Sequence, residues 1–227
     1  MSLNINNRST TNLNLDGRPL KILSIDGREV YSAGGLPNRY QQVEYLESTG
    51  AQYIDTGIIP TRDCKIELTL QYTSAEAWKW AFGVFVGELH WLGLRTTNKS
   101  NTIDFLPFGG SVTKDGTTIL EKHNYILDLK NKYYYVDGTR GSLPWTNFYE
   151  LDNIYIFALN YTSGQTVPRF SEVKMFEYIY YENDIKLQHF IPCYRKSDNK
   201  PGMYDLIGRK FYTNAGSGDD FILGPDV

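Results

Sequence analysis

Cysteine is scarce in this chain: Cys64 and Cys193 are the two thiols among 227 residues. So few exclude a disulfide-stapled scaffold, which needs several bridges to hold a small core. A bridge between these two is one alternative, but two buried free thiols are the expectation for a protein assembled in a reducing cytosol. Histidine is also rare, and His90, His123 and His189 show no metal-ligand spacing. No apolar run approaches the ~18 residues of a membrane span. Residues 1–8 lack a basic stretch followed by an apolar one, so no secretory signal is expected and the protein should be made in the cytoplasm. The sequons at Asn7, Asn98 and Asn160 are then coincidental. An excess of one charge is missing too. Twenty-three basic against 26 acidic residues leave a formal charge of −3, with no Lys/Arg stripe that could track phosphates. That excludes nucleic acid as the expected partner. The chain has no Gly-x-Ser-x-Gly elbow, no phosphate-binding glycine loop and no EF-hand pattern.

What the chain has is aromatic and strand-forming. Eighteen Tyr, 11 Phe and 4 Trp beside 20 Gly favour many short strands joined by tight turns. Lys65 to Tyr72 alternates polar and apolar, placing Ile66, Leu68, Leu70 and Tyr72 on one face. The runs Tyr125 to Lys130 and Lys132 to Val136 flank Asn131 as a hairpin, and Asp137-Gly138 supplies the next turn. Asn153 to Leu159 and Glu172 to Tyr181 are further strand runs. Long helical periodicity is missing almost everywhere. Repeated strands separated by turn signals predict an all-β sandwich of one large or two small domains.

The first 35 residues read differently. Asp16-Gly17-Arg18 and Asp26-Gly27-Arg28 form a small repeat around Leu20 to Ser24, and each Asp-Gly favours a two-residue turn. A β arm this short cannot bury much apolar surface by itself. It is expected to pack on another surface, with Ser32 to Gly35 as a linker to a sandwich over 36–227.

The closing segment is the most specific. Phe190-Ile191-Pro192-Cys193-Tyr194-Arg195-Lys196-Ser197-Asp198-Asn199, Gly202-Met203-Tyr204-Asp205-Leu206 and Lys210-Phe211-Tyr212-Thr213-Asn214-Ala215-Gly216 are short extended runs. Pro192, Ser197-Asp198-Asn199, Pro201-Gly202 and Asn214-Ala215-Gly216 read as their turns. Tyr194, Tyr204, Phe211 and Tyr212 read as packing residues. This block closely resembles the C-terminal end of concanavalin A-like, laminin G-like jelly-roll domains of phage and prophage structural proteins. Leu36 to Gly50 and Gln52 to Gly57 are similar to the entry segment of those domains, and Tyr135 to Thr139 to their central hairpin. The resemblance implies a two-sheet antiparallel jelly-roll and a place on a virion. It also implies that the arm, through Asp16, Gly17, Arg18, Asp26, Gly27 and Arg28, is an attachment module for other virion proteins.

Such folds include retaining glycoside hydrolases, whose Glu-x-Asp-x-Glu pattern puts nucleophile and acid/base on one side of a strand. In Glu150-Leu151-Asp152-Asn153-Ile154 the second catalytic acid is replaced by Ile154, and in Glu182-Asn183-Asp184-Ile185-Lys186 by Lys186. Some laminin G-like relatives bind calcium, but Asp104, Asp115 and Asp137 are isolated turn acids here, and no cofactor is expected. Recognition remains. Sugar sites pair an aromatic platform with amide or carboxylate groups. The alternation of Trp80, Phe82, Val84 and Val86 places Trp80, and Trp78 with it, toward the core. Trp145 and Asn147, in a loop after Pro144, are the stronger ligand candidates. Trp78, Trp91 and Tyr134 complete the carbohydrate-binding set, Tyr134 because Tyr133 to Tyr135 must point to both sides of a strand. The expectation is a non-enzymatic phage virion protein displaying a lectin-like domain toward bacterial surface polysaccharide. A ligand-free decoration or oligomerisation protein is the alternative, and a polysaccharide-degrading enzyme a more distant one.

Overall fold

The structure, a computed structural model, describes residues 35–87, 90–144, 147–162 and 169–227, together with the backbone of four strands before them. The chain divides into two units, Met1–Asn38 and Arg39–Val227. In the first unit Asn14–Leu15 pairs with Arg18–Pro19, and Ile22–Ile25 with Arg28–Ser32, both antiparallel. Leu15 opposes Arg18 and Ile25 opposes Arg28, so two residues separate the paired positions in each hairpin. A short β arm is therefore present. Asp16, Gly17, Asp26 and Gly27 lie outside the described residues, and Arg18 and Arg28 are described as backbone alone.

The second unit is all-β, with no helix among its described residues, and its strands form two sheets. The larger sheet has eleven strands. Its main path runs Thr139–Ser142, Tyr133–Val136, His123–Asp128, Cys64–Tyr72, Glu172–Glu182, Ile185–Arg195, Lys200–Asp205 and Lys210–Tyr212. Tyr40–Gln42, Leu46–Thr49 and Ile222–Leu223 join it from the two ends of the unit. The smaller sheet has eight strands and runs Val112–Asp115, Thr102–Leu106, His90–Thr96, Trp80–Gly87, Tyr155–Ile156 and Ile54–Asp55. Ala158–Tyr161 also borders Trp80–Gly87, in the one parallel pairing among these strands. Arg169–Phe170 pairs with Ala158–Tyr161.

Alternation builds the core between the sheets. Cys64–Tyr72 buries every second residue, so Ile66, Leu68, Leu70 and Tyr72 face inward. Phe82, Val84, Leu92, Leu94, Ile103 and Phe105 of the smaller sheet meet Tyr125, Leu127, Tyr178 and Phe190 of the larger. The rings of Phe82 and Tyr178 lie 5.9 Å apart, edge to face. Each such side chain contributes about 1.5–3 kcal/mol by leaving water, so the sandwich needs no bridge. Cys64 and Cys193 are both free and buried.

Three sequence expectations need correction. Pro192 and Pro201-Gly202 are buried inside strands, with Pro192 opposite Met203 and Gly202 opposite Cys193. Gly202 is required by close approach, because a Cβ there would lie 2.2 Å from the Tyr212 carbonyl oxygen. The Asn153 to Leu159 run breaks at Phe157, whose φ is 71°, and yields Tyr155–Ile156 and Ala158–Tyr161. Trp78 and Trp80 do not follow Phe82 and Val84 into the inter-sheet core. The register skips Ala81, so that Arg95 opposes Trp80 while Leu94 opposes Phe82. A bulge of this kind moves every residue before it to the other face.

Candidate functional site

The outer face of the smaller sheet carries a concentration of aromatic rings, to which the bulge adds Trp80. Leu106, Gly93, Gly83 and Leu159 sit side by side on four adjacent strands. The two central glycines leave a trough, and the Trp80 indole fills it. A Cβ on either glycine would come within 2.9 Å of that ring. Trp80 is only 3% exposed, packed with Leu106 and Leu159, and its Nε1 has no hydrogen-bond partner among the described residues. Ring packing rather than the indole N–H holds it in place.

The next row is a ladder of flat rings. Trp91 and Tyr161 both oppose Phe85 across the strands. Phe85 stacks on Trp91 at 5.8 Å with 8° between planes, and on Tyr161 at 4.6 Å with 3°. All three are half-buried, each with part of its surface open. The Trp91 Nε1–H donates to the Gly110 carbonyl at 3.0 Å, which fixes the indole orientation. Arg169 lies 5.2 Å over Tyr161.

On the other side of Trp80 the sheet becomes polar. Arg95 donates from Nε and Nη2 to one oxygen of Asp104, at 3.1 and 3.0 Å. The other Asp104 oxygen accepts from Thr113 Oγ1 at 2.7 Å. The guanidinium lies 4.4 Å from the Trp78 ring and 5.1 Å from Trp80. Trp78, with φ 65°, leads into the strand and is 45% exposed. The arrangement offers flat apolar rings beside a charged, hydrogen-bonding pair. Such a surface can cover the apolar face of a pyranose and meet its hydroxyls at the edge.

Of the sequence candidates, Trp78 and Trp91 stand on this face. Trp145 lies outside the described residues, and Asn147 is exposed. Tyr134 is placed elsewhere. Its ring stacks on core Phe105 at 4.5 Å and covers Gly141, where a Cβ would lie 2.1 Å from it. Phe85, Tyr161, Arg95 and Asp104 were missed. The usable signal was Gly83 and Phe85, which share the strand face opposite Phe82 and Val84, because glycine within a strand marks close approach.

A further cluster joins a hydroxyl, an imidazole and a carboxylate. Thr118 Oγ1 lies 3.2 Å from His123 Nε2, and His123 Nδ1 lies 2.6 Å from Asp137 Oδ2. His123 Nε2 also lies 3.1 Å from the Thr118 carbonyl oxygen, which can only accept a proton. The hydroxyl and carbonyl of Thr118 thus meet one ring nitrogen and the Asp137 carboxylate the other. Asp137 also ties the hairpin turn, accepting from the Asn124 amide at 2.9 Å. Burial pushes its carboxyl upward, but the Asn124 amide and the His123 ring outweigh this and hold it below its ordinary 3.8.

In comparison with known proteins, no family model matches the chain and no curated protein is significantly similar to it.

Proposed function

We propose that this chain is a non-enzymatic virion protein of a phage or prophage, displaying a lectin-like jelly-roll that binds bacterial surface glycans. The ladder of Trp91, Phe85 and Tyr161 beside Trp78 and the Arg95–Asp104 pair carries the reading. The residue blocks resembling concanavalin A-like, laminin G-like domains support a phage context, in which the arm would dock on other virion proteins. The absence of catalysis is supported by the segment around Glu150 and Asp152, which lies outside any strand, with Ile154 fully buried where a second acid would be needed. Many copies on a particle would turn weak single-site affinity into firm adsorption.

The test is a glycan array with purified cell-wall polysaccharides, using the wild-type protein, Trp91→Ala and Phe85→Ala. Binding that falls at least tenfold in both variants, with native circular dichroism retained, supports the reading. No binding by the wild-type protein, with unchanged adsorption of particles lacking it, would leave a structural decoration protein.

A further inference from the structure

A second concavity lies at one end of the sandwich, formed by loops from both sheets. Its apolar floor is Phe108, Leu129 and Leu143, all nearly fully buried, with Phe148 edge-on to Phe108 at 5.0 Å. Its charged lining is Arg62, Asp63, Lys130 and Lys132, three cations against one carboxylate. Lys130 is ion-paired with Asp184. Arg62 is different: its guanidinium lies 5.9 Å over the Phe148 ring, and among the described residues no carboxylate comes within 4.0 Å of it. A cation held over a ring in a cleft, with no carboxylate in ion-pair range among the described residues, is placed to meet an anion brought by a ligand.

Two further features mark the cleft as built. Phe108 and Lys132 both line it with positive φ, 35° and 63°. A left-handed backbone at a bulky residue is held only where the surrounding structure over-determines it, and such positions cluster at ligand sites. The cleft volume, about 170 Å³, is below the ~300 Å³ at which drug-sized sites begin, so it suits a single ring. The cleft also shares a loop with the aromatic ladder. Phe108 lines the cleft, while Gly109 N–H donates to the Trp91 carbonyl at 3.3 Å and Gly110 accepts from the Trp91 indole at 3.0 Å.

We propose that this cleft binds one anionic sugar unit, its carboxylate or phosphate on Arg62 and its ring against Phe108 and Phe148. The cleft shares no side chain with the aromatic ladder, so the assignment stands or falls separately from the glycan-binding reading of that face.

Calorimetric titration of the full chain with glucuronate, glucose 6-phosphate and methyl glucoside tests it. At least one anionic probe is expected to bind at least tenfold more tightly than methyl glucoside, and to weaken as NaCl rises from about 0.05 to 0.5 M. Glucuronate alone identifies a uronate site, and glucose 6-phosphate alone a phosphorylated sugar. Arg62→Gln should lose at least tenfold in affinity with an unchanged melting temperature, whereas Trp91→Ala should keep the anion affinity. Equal binding of all three probes, binding of none, or full affinity in Arg62→Gln would overturn the proposal. Loss of neutral-oligosaccharide binding in Trp91→Ala with full anion binding would separate the two sites.

Discussion

Gln52 and Asp219 are 167 positions apart in sequence, yet the Gln52 Nε2–H donates to the Asp219 carbonyl at 3.0 Å. Gln52 is 1% exposed, and its Oε1 accepts from the Thr49 amide at 2.9 Å and the Ser48 hydroxyl at 3.1 Å. Nearby, Asn214 Oδ1 accepts from the Tyr53 amide at 3.2 Å and the Gly216 amide at 2.8 Å. The segment around Gln52 and Tyr53 and the chain from Asn214 to Asp219 therefore meet as one hydrogen-bonded seam.

Gln52→Ala should cost about 1–3 kcal/mol, since it leaves the Thr49 amide and the Asp219 carbonyl without their buried partner. Urea denaturation measures this. A midpoint equal to that of the wild-type protein would show that the seam is not a stability element.

Gly93→Ala should destabilise by about 1–3 kcal/mol through overpacking. Its Cβ would stand 2.6 Å from the Phe82 carbonyl oxygen and 2.9 Å from the Trp80 ring. The Trp80 indole must lift from its trough, so tryptophan emission should shift to longer wavelength. An unshifted spectrum and unchanged stability would contradict the packing described for Trp80.

Acid should weaken the fold through two carboxylates. The His189 ring, 2.7 Å from Glu177 Oε1, holds the Glu177 carboxyl below its ordinary 4.5, against a smaller upward push from burial. Asp137 is held below 3.8 in the same direction. A carboxyl lowered in the folded state adds stability that is complete above its unfolded value and is lost as pH falls through the folded one. Melting temperature should therefore decline below about pH 4.5, and Glu177→Gln should flatten that decline. An identical acid limb in the variant would remove Glu177 from the account.

Native protein should resist thiol reagents. Burial pushes the Cys193 thiol up to about 12 and the Cys64 thiol higher still, leaving negligible thiolate at neutral pH. Labelling should appear only on unfolding, with two thiols per chain. Rapid native labelling would place one of them at the surface.

Much of the fold is legible in local pattern. The alternation from Cys64 to Tyr72 needs no partner to declare its inward face, and Asp137-Gly138 forms its turn with both residues at positive φ, 47° and 80°. Tyr194, partly buried, and Tyr204, fully buried, pack as expected. The candidate site was less legible. Trp78 and Trp91 were named, but Tyr134 turned inward because Gly141 on the neighbouring strand gives its ring a seat beside Phe105.

The alternating strands, the two-residue hairpins and the scarcity of charge bias and thiols are properties of neighbours in the chain. They were enough to determine an all-β sandwich without staples. Which face Trp80 takes is a property of register. Skipping Ala81 opposite Arg95 reverses the face of the strand's beginning, and no residue within that strand declares it. The seam between Gln52 and Asp219 and the alignment of Trp91, Phe85 and Tyr161 arise the same way. Each joins segments far apart in sequence, and hydrogen-bond registry between strands, rather than local propensity, decides where they meet.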